Sequence, residues 1–460
     1  MALSSSGGSA PTWSSKWTFI LAAIGAAVGL GNIWKFPYVV GVSGGGAFVI
    51  VYLVAVFVIA IPILIGELLI GRLGKSSPPV AAGRVAEESG RSRSWSVVGW
   101  MGLVAGFLIA TYYSVIAGWT LAYILKALTG FGGVPASEVA QQFDLLQEDA
   151  AVMTLWHTVF IAIAMTIVAR GLHDGIERAV SILMPALFAM LLFMIGYAAV
   201  AGDFPAALDF LFSFDFSKID AGTILIAIGQ AFFSIGVAIG IMMIYGAYVP
   251  ENISLTRSAT IIAVADTLVA ILAGLMIFPL VFSNGLAPDE GPGLIFKTLP
   301  TAFASMPGGR IFGALFFLLL AFAAVTSIIA LIEPVIAYTE DRWKLPRKVG
   351  CLVFGTIAWA IGMGSVLSFN VLKGYAPLSM FAVFDGMTIY DLVDYFTANF
   401  LMPVGGILIA VFAGWMIKKE IIDEHVEFSS PLMEMTWIWL MRIVAPLAIL
   451  GVLIQALFLA

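Results

Sequence analysis

The sequence has a single cysteine, Cys351, in 460 residues, and its three histidines lie far apart along the chain. A lone cysteine excludes a disulfide framework and a thiolate metal site. Scattered histidines provide neither a metal cluster nor a nucleophile–base pair, so we expect no enzyme. Charged residues are also scarce, at 11% of the chain, and we expect no nucleic-acid partner.

Apolar residues, in contrast, make up 61% of the chain, and the mean hydropathy is +1.05. This balance is that of a polytopic membrane protein, and the long uninterrupted runs exclude a barrel of alternating strands. We predict an all-α membrane protein with about eleven transmembrane helices in one domain, residues 1–460. The predicted spans are 17–40 (broken), 47–71, 97–125, 151–169, 176–200, 221–248 (broken), 256–283, 310–339, 347–368, 386–416 and 434–458.

The loops alternate in charge. Basic side chains concentrate in 72–96 and 340–348, whereas 131–150 and 203–220 are acidic. The positive-inside rule therefore predicts a multi-pass protein of the inner (plasma) membrane with a cytoplasmic N-terminus and an extracytoplasmic C-terminus. The segment Met1–Thr12 lacks a basic n-region, so no cleaved signal peptide is expected. Between spans seven and eight, a short re-entrant helix is expected at 294–299.

The first span contains a stretch that a simple anchor would not have, Gly25–Tyr38. Three glycines within seven residues and Pro37 weaken the helix, and Asn32 and Lys35 place polar groups among apolar ones. A membrane helix tolerates such a break only where the freed backbone faces protein or a wet cavity. Free carbonyls there suit a hard cation, and free N–H groups suit a carboxylate. We interpret this stretch as the core of a transport site.

The sixth span has a matching interruption, with glycines and a serine along Gln230–Gly240. Spans one and six are corresponding members of two five-helix halves, about 17–200 and 221–416, followed by an extra helix at about 434–458. Interrupted segments at matching positions indicate an inverted repeat with a substrate site at the bilayer midplane. A passive channel is disfavoured because the polar groups cluster at one depth.

With these features, the chain resembles the neurotransmitter:sodium symporter family, and in particular its bacterial amino-acid transporters. The resemblance covers nearly the whole chain. The motifs that carry it are Ala27–Asn32 with Lys35–Pro37, Gly44–Phe48, Glu67 with Gly71–Arg72, Tyr112–Tyr113 with Trp119, Gly229–Ser234, Ala323–Ser327 and Glu340–Asp341.

The resemblance implies two sodium sites. The first would use the Ala27 carbonyl, the Asn32 amide oxygen, Ser234 and the substrate's carboxylate, with Asp266 beside the family's seventh-span asparagine position, which is Ala265 here. The alternative for Asp266 is a structural partner of Asn32 or Ser234. The second sodium site would use carbonyls of Gly25, Val28 and Ala323 with the hydroxyls of Thr326 and Ser327.

The resemblance also implies a substrate pocket that combines backbone N–H groups with an apolar wall. Amine transporters of the family have an aspartate where this chain has Gly29, so the glycine favours a substrate with its own carboxylate. We expect a neutral, hydrophobic α-amino acid; taurine or GABA is the alternative, and so is a non-transporting amino-acid sensor. The expected lining is Ala26, Ala27, Gly29, Leu30, Gly31, Ile109, Tyr113, Phe233, Ser234, Gly236, Ile239, Ser327 and Leu331.

Three further roles follow from the family pattern. Glu67 would cap the unwound backbone of span six. Lys35 would form an outer gate with Asp391, or with Asp394 one turn on. The inner gate would use the acid at Asp341, near Tyr248. No Lys or Arg precedes Lys16, so the family's usual N-terminal arginine is absent. We therefore expect the inner closure to be held weakly, by Lys16 or by Trp13 packing.

The anion requirement can also be predicted. Animal members bind a chloride near the first sodium ion, and a fixed carboxylate at Asp266 would do the same electrostatic work. Val269, where the family has a chloride-binding serine or a compensating acid, can do neither. We therefore expect chloride-independent transport. If Asp266 exchanges its sodium for a proton on the return step, proton antiport follows. The oligomeric state is left open.

Overall fold

The computed structural model describes residues 11–130, 134–286 and 293–458. The expectation of no signal peptide at Met1–Thr12 thus falls largely outside the described residues. The described part of the chain is mainly helical and contains no β-strand.

Eleven spans can be traced in these ranges: nine long apolar helices, one bent pair and one interrupted helix. In chain order, spans 1 to 11 are Lys16–Ala27 with Gly31–Val42, Gly46–Gly74, Arg93–Thr129, Ala150–Val168, Leu172–Ala201, Ala221–Ile235 with Ile241–Ala247, Leu255–Ser283, Gly309–Trp343, Arg347–Ser368, Ile389–Met416 and Pro431–Leu457. Shorter helices lie between them at Pro78–Glu88, Ala136–Glu148, Phe204–Phe212, Phe216–Lys218, Leu294–Thr298 with Leu299–Ser305, Ala382–Phe384 and Lys419–His425.

Several helices contain a wide π-turn just before a proline. A proline ring lacks the N–H group and collides with the carbonyl four residues earlier, so the preceding turn widens. Five π-turns end two residues before a proline. The prolines are Pro37, Pro62, Pro300, Pro403 and Pro446. These turns let long membrane helices continue past residues that would otherwise end them.

Spans 3 and 8 form the centre of the bundle and pack along each other. In span 8, 83% of the most apolar 18-residue stretch is buried, against 22% of the corresponding stretch in span 11. Spans 4, 5 and 9 are also largely uncovered by protein. Because their uncovered side chains are apolar, this outer ring is the lipid-facing surface of the fold.

The two interrupted spans meet at this centre. The halves of span 1 are bent by 50°. Span 6 is unwound over 236–240, where Gly236, Ala238 and Gly240 have φ of +68°, +66° and +77°. Glycine adopts this left-handed conformation without penalty, whereas alanine does so at a cost of about 1–2 kcal/mol. The inner half of span 6 packs so closely on span 2 that a Cβ on Gly71 would overlap the Met243 carbonyl.

Candidate transport site

A small cavity lies between the two breaks, lined by residues of spans 1, 3, 6, 8 and 10. All thirteen residues predicted to line the substrate pocket line this cavity. Two further residues, Ile241 and Met402, complete the wall. Met402 is a flexible side chain that can adapt to differently shaped neighbours. Sequence reasoning missed it because the register of span 10 relative to span 6 is set by the tertiary fold.

Gly29 is the tightest point of the cavity. A Cβ there would lie 2.6 Å from the Ser327 hydroxyl oxygen and 3.0 Å from the Tyr113 hydroxyl oxygen. The Tyr113 hydroxyl accepts a hydrogen bond from the Leu30 backbone N–H at 3.2 Å. The glycine therefore lets two hydroxyl groups approach the backbone at the start of the second half-helix, close to the Leu30 N–H group. Hydroxyl and N–H donors at the start of a helix suit a small anionic group such as a carboxylate.

Beside Gly29 lies a fully buried polar cluster from spans 1, 2, 6 and 7. The Asn32 amide donates to the Ser234 hydroxyl at 2.8 Å and to Asp266 Oδ1 at 2.8 Å. Ser234 donates to Asp266 Oδ2 at 2.7 Å, and Tyr52 donates to Ser234 at 3.2 Å. The Asn32 amide oxygen accepts from the Gly29 N–H at 3.0 Å. The amide oxygen predicted as a sodium ligand thus faces the backbone, and its nitrogen faces Asp266.

Asp266 has an unusual environment for a carboxylate. It is completely buried, and its side-chain partners in the described residues are the neutral Asn32 and Ser234, with no Lys, Arg or His among them. A buried charge without a compensating partner is costly. A bound cation would supply that partner, and rotating the Asn32 amide would give it another oxygen ligand. The cluster fits a hard monovalent cation.

A second group of oxygens joins spans 1 and 8. The Ser327 hydroxyl donates to the Val28 carbonyl at 3.3 Å. Thr326 donates to the Ala323 carbonyl at 2.9 Å, and a Cβ on Gly25 would lie 3.3 Å from Thr326 Cβ. All five residues predicted for the second sodium site therefore lie at this junction. They bring carbonyl and hydroxyl oxygens, and no charged group, to one place.

Glu67 lies in span 2 facing the unwound part of span 6. Its side chain is fully buried and lies against the backbone N–H groups of Ala238 and Gly240. Neither carboxylate oxygen completes a hydrogen bond of good geometry within the described residues. The position matches the predicted cap of the unwound backbone.

On the predicted outer side, Lys35 lies over the Phe233 ring, with its ammonium 4.1 Å from the ring centroid. The two candidate acids differ in their contacts. Asp394 is the acid whose charge acts on Lys35, although the two form no ion-pair contact in the described part of the chain. Asp391 instead accepts from Thr388 N and Oγ1 at 2.9 and 2.7 Å, and so caps its own helix.

On the opposite side, Tyr248 and Asp341 have separate partners. Tyr248 donates to Glu333 Oε1 at 2.9 Å, and Arg347 forms a double ion pair with Glu333. Asp341 accepts from Ser76 Oγ at 2.5 Å and from the Ser77 N–H at 2.7 Å. Glu333 was not singled out from the sequence, although an acid inside an apolar span is a recognisable signal of function.

The chain before span 1 closes the same side. Trp13 donates from its indole to the Tyr245 carbonyl at 3.1 Å and from its backbone to the Tyr248 carbonyl at 2.9 Å. Ser14 donates to Glu177 from both its N–H and its hydroxyl, at 2.8 and 2.5 Å. Lys16 makes no ion pair within the described residues. The N-terminal segment is thus tied to spans 5 and 6 without an arginine.

Comparison with known proteins gives a uniform result. The model of the sodium:neurotransmitter symporter family matches residues 10–135 and 137–459. The chain is 35% identical over 447 residues to the uncharacterized sodium-dependent transporter YhdH of Bacillus subtilis (strain 168), covering 96% of this chain and 97% of that protein. It is 32% identical over 458 residues to an uncharacterized sodium-dependent transporter of Haemophilus influenzae, covering 97% and 98%. It is also similar to the crystal structure of MhsT in complex with L-phenylalanine, with a TM-score of 0.87 and 39% identity over 97% of this chain and 99% of that one.

The broken-helix fold and the buried oxygen clusters define a secondary transporter rather than an enzyme, and the chain belongs to the sodium:neurotransmitter symporter family. The predicted family and fold class are confirmed. The chain is therefore a multi-pass, sodium-dependent membrane transporter.

Proposed function

We propose that this chain imports a neutral, hydrophobic α-amino acid together with sodium, independently of chloride, by alternating access. The observation that carries the proposal is the buried carboxylate of Asp266, which has neutral side-chain partners among the described residues and is linked through Asn32 to the backbone at Gly29. One cation at this point would be shared by Asp266 and the substrate's carboxylate. Substrate and ion then stabilise each other's binding, which is the physical basis of coupling.

The substrate class follows from the two ends of the cavity. At the polar end, the Leu30 N–H and the Tyr113 hydroxyl lie beside Gly29 and would bind the substrate carboxylate. The far wall is formed by Ile109, Ile239 and Leu331, with Met402 beside them, and it contains no charged group. An apolar side chain suits this wall, whereas an acidic or basic one would be left without a partner. The L-phenylalanine in the crystal structure of MhsT supports the same class.

Two sodium ions are the proposed stoichiometry. The first would bind at Ala27, Asn32, Ser234 and Asp266, and the second at Gly25, Val28, Ala323, Thr326 and Ser327. Only the first site contains a fixed negative charge. That charge offsets the sodium ion in the way that a bound chloride would, while the buried, apolar Val269 cannot hold an anion. If Asp266 exchanges its sodium for a proton on the return step, proton antiport would follow.

Alternating access requires that one side be closed at a time. The proposed outer closure is Lys35 over Phe233, facing Asp394, and the proposed inner closure joins Trp13 and Ser14 to spans 5 and 6. With the basic loops placed in the cytoplasm, the N-terminal segment closes the cytoplasmic side. The C-terminus of the eleventh span would then be extracytoplasmic.

The test is uptake into proteoliposomes with radiolabelled amino acids. Uptake of a hydrophobic amino acid should require an inward sodium gradient and run at the full rate when gluconate replaces chloride. Asp266→Asn should lose activity or become chloride-dependent, because the fixed charge is removed without a change in shape. Unlabelled leucine, methionine, phenylalanine and tryptophan should compete better than glutamate, lysine, taurine, GABA or monoamines.

Three results would contradict the proposal. Equal uptake in potassium would refute sodium coupling, and wild-type uptake that fails in gluconate would refute the role of Asp266. Sodium-dependent binding without uptake would identify a sensor on the same fold. Val264→Ala, at an exposed position of the same span, is the matched control and should leave all three measurements unchanged.

A further inference from the structure

The segment between spans 9 and 10, residues 369–388, is unusually apolar for a loop, and we refer to it as the outer apolar loop. Its only charged residues are Lys373 and Asp385. Five large apolar or aromatic side chains of this loop are each more than half exposed. Exposing apolar surface to water costs about 25 cal/mol per Å², so this arrangement would be costly in water. They are Val371, Tyr375, Met380, Phe381 and Val383.

These side chains continue the lipid-facing surface of the bundle. Phe381 contacts Phe384 with ring centroids 6.3 Å apart, and Phe384 contacts Phe396 of span 10 at 5.6 Å. Phe396 and Phe400, about one turn apart, are themselves exposed. An unbroken apolar surface therefore runs from the membrane-spanning part of span 10 onto the loop.

The loop is also held in a defined shape. Ser379 Oγ accepts from the Gly386 N–H at 3.2 Å, and Ser368 at the end of span 9 accepts from the Tyr390 N–H at 3.1 Å. Thr388 caps the first helical turn of span 10. The loop thus connects rigidly to the helix that carries Asp394.

We propose that the outer apolar loop is seated in the headgroup region of the bilayer and anchors the start of span 10. Its position on the side opposite the basic loops places it at the extracytoplasmic leaflet. The occupant of the apolar surface is lipid, because the surface is continuous with the ring that the bilayer already covers. Tyr375 and Tyr395 have the amphipathic character that aromatic residues show at membrane interfaces. The bilayer thereby fixes the helix on which the proposed outer gate lies.

The experiment uses the full-length protein in nanodiscs that hold one copy each. The native cysteine, the buried Cys351, is first removed by Cys351→Ala. Single cysteines are then introduced into this background by Met380→Cys and by Val383→Cys. Each is labelled with an environment-sensitive fluorophore. Quenching is measured with phosphatidylcholine carrying a nitroxide near its headgroup and, separately, with aqueous iodide. Gln141→Cys, at an exposed position of the acidic helix Ala136–Glu148, is the control.

Labels at Met380 and Val383 should be quenched more strongly by the lipid nitroxide than by iodide, with the order reversed at Gln141. Blue-shifted emission at both loop sites relative to Gln141 is also expected. Iodide quenching at both loop sites as strong as at Gln141 would overturn the proposal. Because each nanodisc holds one copy, shielding from iodide without lipid quenching would also overturn it, as the loop would then be covered by protein. Two labelling positions keep the test decisive if one variant fails to fold.

Discussion

At the residue scale, the identity of the side chain at position 29 determines what the cavity can accept. Gly29→Ala places a methyl group 2.6 Å from the Ser327 hydroxyl and 3.0 Å from the Tyr113 hydroxyl. We expect the affinity for a hydrophobic amino acid to fall by at least about tenfold, or about 1.4 kcal/mol, because the methyl group would displace the two hydroxyls that we expect to bind the substrate carboxylate. Scintillation-proximity binding in saturating sodium measures this loss.

The matched control is Gly196→Ala, where an added Cβ meets nothing within 4 Å. It should bind the substrate with wild-type affinity. The loss in Gly29→Ala would then be due to the clash at position 29 and not to the replacement of a glycine in a membrane helix. Unchanged affinity in Gly29→Ala would show that the substrate carboxylate lies elsewhere.

Most residues of the candidate site could be predicted from the sequence. Nine of the thirteen lining residues lie on the two interrupted stretches, and the family resemblance implied the other four, which are Ile109, Tyr113, Ser327 and Leu331. The structure brings all thirteen into one cavity. Their role in binding stays a prediction. Ile241 and Met402 were missed for a physical reason: each is part of an apolar run, and its significance depends on which distant helix packs against it. The sequence does mark Glu333 as an acid within an apolar span, whereas its partner depends on how two helices pack. Arg347, the partner of Glu333, is fourteen residues away in the next span.

At the scale of elements, hydropathy predicted where the chain crosses the membrane. The ninth span, predicted at 347–368, is Arg347–Ser368, and the fifth, predicted at 176–200, is Leu172–Ala201. Helices within loops, such as Pro78–Glu88, were not predicted because their amphipathic pattern is short. The predicted helix at 294–299 extends to Ser305. Its Phe296 packs on Trp119 and Tyr123, contacts that no local pattern encodes.

One helical turn separates the two acids proposed for the outer gate, and their surroundings give them different roles. Asp394→Asn should weaken the outer closure and speed substrate dissociation, because Asp394 is the acid facing Lys35. Asp391→Asn should lower thermal stability, since loss of a capping interaction costs about 1 kcal/mol, and should leave dissociation unchanged. Washout of bound radiolabelled substrate and thermal unfolding of the two variants provide the comparison. Faster dissociation in Asp391→Asn alone would assign the gate to Asp391.

At the scale of the whole molecule, the two sides of the bundle are closed by different kinds of contact. The outer side depends on a cation over an aromatic ring, worth about 0.5–2 kcal/mol. The inner side combines Trp13 hydrogen bonds, Ser14 bonds to Glu177 and the Glu333–Arg347 pair. The absence of an N-terminal arginine therefore does not leave the inner side open. Contacts with spans 5 and 6 hold the N-terminal segment in place, and these contacts stabilise the conformation that is closed on this side.

The last prediction concerns the bond between Ser14 and Glu177. A hydrogen bond to a charged group contributes about 1.5–3 kcal/mol, so removing it should raise the population open on the inner side by about tenfold or more. In a Cys351→Ala background, a cysteine at the buried Ala247 on the inner half of span 6 reports opening through its rate of maleimide labelling. Glu177→Ala removes both bonds and should accelerate labelling most, whereas Ser14→Ala removes only the hydroxyl bond and should accelerate it less. The double variant should add little to Glu177→Ala, because the Ser14 hydroxyl bond is already lost in it. Lys16→Ala should label at the parent rate, since Lys16 makes no ion pair in the described residues. Acceleration by Lys16→Ala with no effect of Glu177→Ala would assign the inner closure to the lysine instead.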